Sequence, residues 1–411
     1  MDFELSDEQQ FLRDAARGVL SRYDTVAAAR AALDGGERLD LWEPAREAGW
    51  PGLVIDEAHG GAGLGGLDAM LVMIECGRVL ASVPLLGHVP ATGLLDAAPG
   101  HDELLPALAD GERRAALVPA QPPGDLDAGW TVDAPRGHGR RPAPRAMFGD
   151  GVATVTGTVS WVPDLPGADV LVVMAAGEDG SAIALVVYPD QPGVSVEAVT
   201  RYDATRSLGH LYLDQAIGTP LGVDEQRLHS AWYLAQGLIA AESLGAVEAA
   251  LEASVAYAKE RFTFGRAIGS YQAVKHALVE ILRLSENTRS LIYYAGWARQ
   301  DAPEEFPLAA SAARVAAGKA LDFAARELIS VHGGIGATWE HDAPLYFRRA
   351  QLSRRLLAGA GAATDRVAGL LLAGERAAEP EVTAGRSRSG RPAAAPASAA
   401  PAARPGPPLD A

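Results

Sequence analysis

The sequence predicts an α+β fold, mostly α. It divides into an N-terminal helical domain over residues 1–112, a middle β domain over 113–222 and a C-terminal four-helix bundle over 223–378. Three observations predict this. Apolar residues recur at helical spacing up to about residue 110. Between 113 and 222 the pattern changes to β-branched runs divided by Gly, Pro and Asp. From 224 onward, long alanine-rich helical stretches return. With 411 residues, 48% hydrophobic and 21% charged, the chain has enough apolar material for two or three packed domains.

The elements follow in order. Ser6 and Gln9 have capping-box spacing, and Phe11, Leu12, Ala15, Ala16, Val19 and Leu20 continue as one apolar stripe. A turn-rich segment over 49–66 leads into an apolar helix over 69–80. Within that segment, Gly61-x-Gly63-x-x-Gly66 matches the dinucleotide fingerprint, but no βαβ unit surrounds it, so it reads as a tight turn. Strands are predicted over 152–161, 169–174 and 183–188, with a Pro/Gly/Arg-rich loop over 122–145. Helices are predicted over 224–260, 271–300, 306–331 and 343–373, broken at Phe264-Gly265, 301–303 and Gly333-Gly334. Residues 379–411 are rich in Pro, Ala, Ser and Arg, which predicts a disordered tail.

A formal charge of −16 argues against nucleic acid, although a local basic patch could still hold an adenine nucleotide. A single cysteine, Cys76, forbids an intrachain disulfide and any multi-cysteine metal site; it reads as a buried thiol, and no metal site is expected. The acidic N-terminus lacks a signal-peptide pattern, and no uninterrupted apolar stretch reads as long enough to span a bilayer. A soluble cytoplasmic protein is the expectation.

Two motifs point to chemistry. The run from Tyr257 to His276 places Arg261, Thr263, Phe264 and Gly265 at a helix end, with Gln272 seven residues past the glycine. A guanidinium fork with a hydroxyl donor suits a pyrophosphate, and Gly265 can take the positive φ of a helix C-cap. The alternative is a bundle turn whose arginine pairs with a surface carboxylate. The second motif, from Val331 to His341, contains Gly333, Gly334 and Gly336, and three glycines let backbone approach a ligand closely.

Together the two motifs closely resemble the signatures of the flavin-dependent acyl-CoA dehydrogenases, in the right order and at about the expected separation. The resemblance runs from the N-terminus to about Leu372 and is weakest in the β domain. It implies that Arg261, Thr263 and Gln272, with Phe264 in the same turn, hold the pyrophosphate of an FAD bound mainly by the neighbouring subunit. Gly333, Gly334 and Gly336 would contact the adenosine-pyrophosphate part of the same FAD. His332 beside them is either a ligand contact or a structural histidine. Trp161 resembles the aromatic residue that lies against the flavin ring, with a buried sandwich tryptophan as the alternative.

The departures matter as much. The family's Thr-Glu-Pro-Gly-x-Gly-Ser-Asp loop should follow Val118; here the chain reads Pro119-Ala-Gln-Pro-Pro-Gly-Asp-Leu-Asp. The family's catalytic glutamate comes from one of two places, corresponding here to 354–359 and to Ala235-Gln236, and neither holds a carboxylate. Glu242 is the nearest substitute, two turns beyond Ala235 and on nearly the same helix face. Its alternative is a buried glutamate paired with Arg348 or Arg349.

The pattern resembles the base-lacking subunit of heteromeric actinobacterial acyl-CoA dehydrogenases, α2β2 assemblies acting on bulky acyl-CoA esters including steroid side chains. Such a subunit completes the FAD site of a base-bearing homologue. The alternatives are a self-sufficient homo-oligomeric dehydrogenase with a displaced base, or a scaffold of the same fold. The partners implied are an acyl-CoA or acyl-carrier thioester and an electron-transfer acceptor, with no nucleic acid and no membrane.

Overall fold

The computed structural model describes residues 4–119, 131–132, 140–141, 143–149, 152–199 and 202–378. The chain through Leu370 packs as one unit, and residues from Leu371 onward belong to a second. The tail predicted over 379–411 lies outside the described residues, as does most of the segment after Pro119.

The N-terminal part is helical as predicted: α1 (Asp7–Leu20), α2 (Thr25–Leu33), α3 (Trp42–Glu47), α4 (Gly66–Arg78), α5 (Leu85–Asp96) and α6 (Leu105–Ala109). Ser6 and Gln9 form the expected capping box on α1. The apolar stripe is narrower than predicted: Ala16 and Leu20 are buried, whereas Phe11 is 76% exposed. The 61–66 glycine segment is a turn into α4, with Gly63 at φ 60° and no strand before it.

The middle part holds β1 (Ala115–Val118), β2 (Thr131–Val132), β3 (Arg140–Arg141), β4 (Arg145–Gly149), β5 (Val152–Pro163), β6 (Val170–Ala176), β7 (Ala182–Val187), β8 (Val194–Ala198) and β9 (Leu208–Pro220). The sheet order is β1-β6-β4-β5-β9-β7, with β8 on β9 and an extra β6–β7 pairing that closes the strands on themselves. The predicted loop over 122–145 is corrected in part, since β2 and β3 pair within it and Arg145 opens β4.

The C-terminal part contains α7 (Glu225–Glu260), a hairpin of β10 (Phe262–Thr263) and β11 (Arg266–Ala267), then α8 (Gln272–Asp301), α9 (Phe306–His332), α10 (Ala343–Ser353) and α11 (Gly359–Ala378). By length and composition α7 could cross a membrane, contrary to the sequence expectation. However, 83% of its most apolar stretch is buried, which marks it as a core helix.

Glycine decides where α7 crosses α4. A Cβ on Gly77 would run into the Glu242 carbonyl, and one on Gly245 would run into the Ile74 carbonyl. The two backbones therefore touch at a reciprocal pair of glycines. Gly77→Ala is expected to cost about 1–3 kcal/mol by overpacking, read as a lower urea midpoint. An unchanged midpoint would show that the crossing opens freely.

The single helix predicted over 343–373 is two helices. Leu357, Ala358 and Gly359 take φ values of 51°, 64° and 78° at the break. Tertiary hydrogen bonds hold it open: Arg314 Nη2 donates to the Ser353 and Leu356 carbonyls at 2.5 and 3.1 Å. Gln236 Nε2 donates to the Leu357 carbonyl at 3.0 Å. Local alanine-rich sequence carries no sign of these distant donors.

Candidate functional site

At one end of the bundle, α7 stops at Glu260 and the chain turns back as the β10–β11 hairpin. Phe264 and Gly265 sit at its tip with φ 50° and 77°. Positive φ at both central residues is the twist-matched geometry of a two-residue hairpin. Gly265 thus has the predicted positive φ, but in a hairpin turn and not in a helix cap. Tyr271 Oη donates to the Thr263 carbonyl at 3.2 Å, and the Arg266 guanidinium lies 4.0 Å over the Tyr271 ring. These contacts fasten the hairpin to the start of α8.

Arg261 and Gln272 are exposed there, and Thr263 is half-buried. Among the described residues Arg261 has no carboxylate partner, so the surface-pair alternative is not what the structure holds. The N-terminus of α8 has no side-chain cap, which leaves N–H groups open beside Gln272. An unpaired guanidinium next to an open helix N-terminus suits an anionic group such as pyrophosphate.

The glycine-rich turn lies at the same end. Gly333 has φ 64°, and both it and Gly334 face open space. Gly336 has a packing reason to be glycine. It is buried, and a Cβ there would lie 2.7 Å from the Ile329 carbonyl, so it lets the turn fold back on α9. His332 is also turned inward: its Nδ1 bonds the Leu328 carbonyl at 2.7 Å, and its ring lies between Tyr257 and His341 at 4.3 and 4.2 Å. It packs the bundle end and is not part of the exposed surface.

Trp161 sits in β5 at φ 61°, where the pairing with β9 slips between Val159 and Val162. The slip re-aims the side chain. Val155, Val159 and Val162 fill the barrel core, whereas Trp161 packs on the helical core, edge-on to His210 at 4.4 Å. The sandwich-core alternative is therefore not the one adopted.

The two positions where a catalytic glutamate is expected converge in space. Gln236 is 1% exposed and its amide bonds the carbonyl of Leu357. One position carries an amide and the other a leucine. Glu242 lies elsewhere, in a buried ionic cluster. Its Oε1 accepts from Arg349 Nη1 at 2.6 Å, its Oε2 accepts from Arg206, and Arg349 Nε also reaches Asp203 at 2.9 Å. Both carboxylate oxygens are engaged by guanidinia, so Glu242 adopts the paired arrangement with Arg349. Arg206 and Arg314, the other cations of this cluster, are not predicted from sequence. Burial pushes Arg314 down to about 10, with Arg206 adding repulsion and Glu242 opposing it. Burial likewise raises the Cys76 thiol, with the Glu242 and Glu75 charges adding to the effect, so it is an inert core residue.

Asp164 closes the barrel side of this region. It is buried and accepts from the Gly87 N–H at 2.9 Å. Burial raises its pKa to about 6 against the pull of Arg206 and of that hydrogen bond. The folded state therefore binds a proton that the unfolded chain releases near pH 4, at roughly the ordinary aspartate value. This contribution is full below that pH and is lost as pH rises through about 6. Asp164→Asn should flatten the stability profile between pH 4 and 6; parallel profiles for the two proteins would refute the assignment.

Known proteins resemble this chain over most of its length. The acyl-CoA dehydrogenase N-terminal domain matches residues 6–112, and the acyl-CoA dehydrogenase C-terminal domain matches 231–363. Acyl-CoA dehydrogenase IpdE2 of Mycobacterium tuberculosis is 33% identical over 355 residues, covering 85% of this chain and 93% of the relative. A variant of the steroid ACAD Tcur3481-Tcur3483 superposes with a TM-score of 0.79 at 29% identity, over 90% of this chain and 99% of the other. The ChsE4-ChsE5 complex from Mycobacterium tuberculosis gives 0.78 at 26% identity, over 90% and 99%. The chain belongs to the acyl-CoA dehydrogenase family.

Proposed function

We propose that this chain is one subunit of an FAD-dependent acyl-CoA dehydrogenase and completes the FAD site of a homologous, base-bearing partner. The observation that carries this reading is the meeting of Gln236 and Leu357 without a carboxylate, while the exposed bundle end keeps an unpaired Arg261. The ChsE4-ChsE5 structure, a relative of this chain, is itself a complex.

The residues present fit the outer part of FAD. Arg261 and the open start of α8 would hold the pyrophosphate, Thr263 and Gln272 would add donors, and Gly333-Gly334 would let the nucleotide lie close. When bound, FAD supplies the hydride acceptor for α,β-dehydrogenation of an acyl-CoA or carrier-borne thioester. This chain's own part is binding and orientation, and the α-proton goes to the partner's carboxylate. The hairpin presents Phe262 and Phe264 at 62% and 95% exposure, an apolar rim suited to a neighbouring subunit.

Co-expression with a base-bearing homologue tests this. A co-purifying complex with stoichiometric flavin, against a colourless chain alone, is the expected result. A chain that stays monomeric and colourless beside every such homologue would favour the scaffold.

A further inference from the structure

Arg299, in the last turn of α8, is a confined cation with no counter-ion among the described residues. Among the described residues its guanidinium makes no ion pair or hydrogen bond, and its Nε is buried without a partner. Burial alone pushes its pKa down. Its stem passes Gly66 at the start of α4, where a Cβ would lie 2.9 Å from Arg299 Cδ. Its tip lies beside Gly93 of α5, where a Cβ would be 3.5 Å from Nη2. Packing therefore fixes the fork in place before any anion arrives.

Two neighbouring cavities share this side chain in their walls. The outer one, about 780 Å³, opens between the first turns of α7 and the α8–α9 connection, past Tyr233, Pro303 and Phe306. The inner one, about 90 Å³, is walled by Pro90 and Ala97 of α5 and by Ala231 and Leu234 of α7. Arg227, Ser230 and Arg299 line both. Arg227, Ser230, Ala231 and Leu234 share one face of α7, while Gln236 lies about 200° around the helix from Leu234. The site is thus separate from the Gln236–Leu357 meeting point and does not depend on the flavin reading.

We propose that these two cavities together bind a short aliphatic carboxylate. Its carboxylate sits on the Arg299 fork with Arg227 and Ser230 as further donors, and its hydrocarbon end enters the inner cavity. A planar guanidinium matches a carboxylate in two parallel hydrogen bonds, and a confined cation gains most from an anion that shares its desolvated setting. Asp224, Glu225 and Glu304 on the outer rim disfavour a dianion such as phosphate. The inner cavity, about 90 Å³, is small and largely apolar at its far end, which favours a short hydrocarbon end over a long one.

The test is calorimetric titration of the purified full-length chain with butanoate, against butanamide, acetate and inorganic phosphate. Butanoate is expected to bind and to raise the melting temperature, and butanamide to do neither. Arg299→Gln should weaken butanoate at least tenfold. Without ligand that variant should be as stable as the parent or more so, because it removes a cation that has no partner. Ala97→Leu, which narrows the inner cavity, should weaken butanoate while leaving acetate binding in place. Absence of butanoate binding, equal binding by Arg299→Gln, or phosphate bound as tightly as butanoate would each overturn the assignment. So would an equal loss of acetate and butanoate in Ala97→Leu.

Discussion

Arg261→Ala is expected to lower flavin affinity of the assembled complex roughly ten- to a hundredfold, the value of a charge-assisted hydrogen bond of about 1.5–3 kcal/mol. The chain's own stability should not change, because Arg261 is exposed and unpaired among the described residues. Flavin retention after gel filtration and an unfolding curve on the same sample separate the two effects. Full flavin occupancy in a folded Arg261→Ala complex would remove Arg261 from the site. Loss of stability without loss of flavin would give it a structural role.

The second large effect is at Glu242. Glu242→Ala leaves Arg206 and Arg349 buried without their shared carboxylate. Breaking a buried pair in this way costs about 3–5 kcal/mol, read as a large drop in the urea midpoint. Glu242→Gln should also destabilise, by less, since the amide keeps the shape and one oxygen acceptor. Neither change should abolish flavin bleaching in a complex that remains assembled. Abolished bleaching in a fully folded Glu242→Gln complex would reinstate Glu242 as the base.

How much of this was legible in the sequence depends on where each signal lives. The Arg261–Gln272 run and the Gly333-Gly334 turn were readable because unusual residues mark unusual backbone, and positive φ at Gly265 and Gly333 follows directly. Gly265 sits at a hairpin tip and not in a helix cap, and the sequence does not separate the two because both make the same local demand. The strands over 152–161, 169–174 and 183–188 were readable from β-branched runs. In contrast, β9 hides its period with Gly209, Asp214, Gln215 and Gly218, and Gln215 even takes φ 50°. The break at 354–358 is invisible in sequence because its donors lie far away: Gln236 is 121 residues from the carbonyl it binds, and Arg314 is 39 and 42 residues from its two. The Glu242 cluster was half-legible. An apolar helix holding one glutamate asks for a buried partner, and Arg349 is one of the two arginines the sequence offers. Arg206 joins only because the turn before β9 packs onto α7.

The most direct test of the central claim is the absorbance spectrum of the chain purified alone, repeated anaerobically with acyl-CoA. A subunit without a base should be colourless, or should carry flavin that acyl-CoA does not bleach. A yellow protein that bleaches on its own would contradict the account and show a complete active site within this single chain.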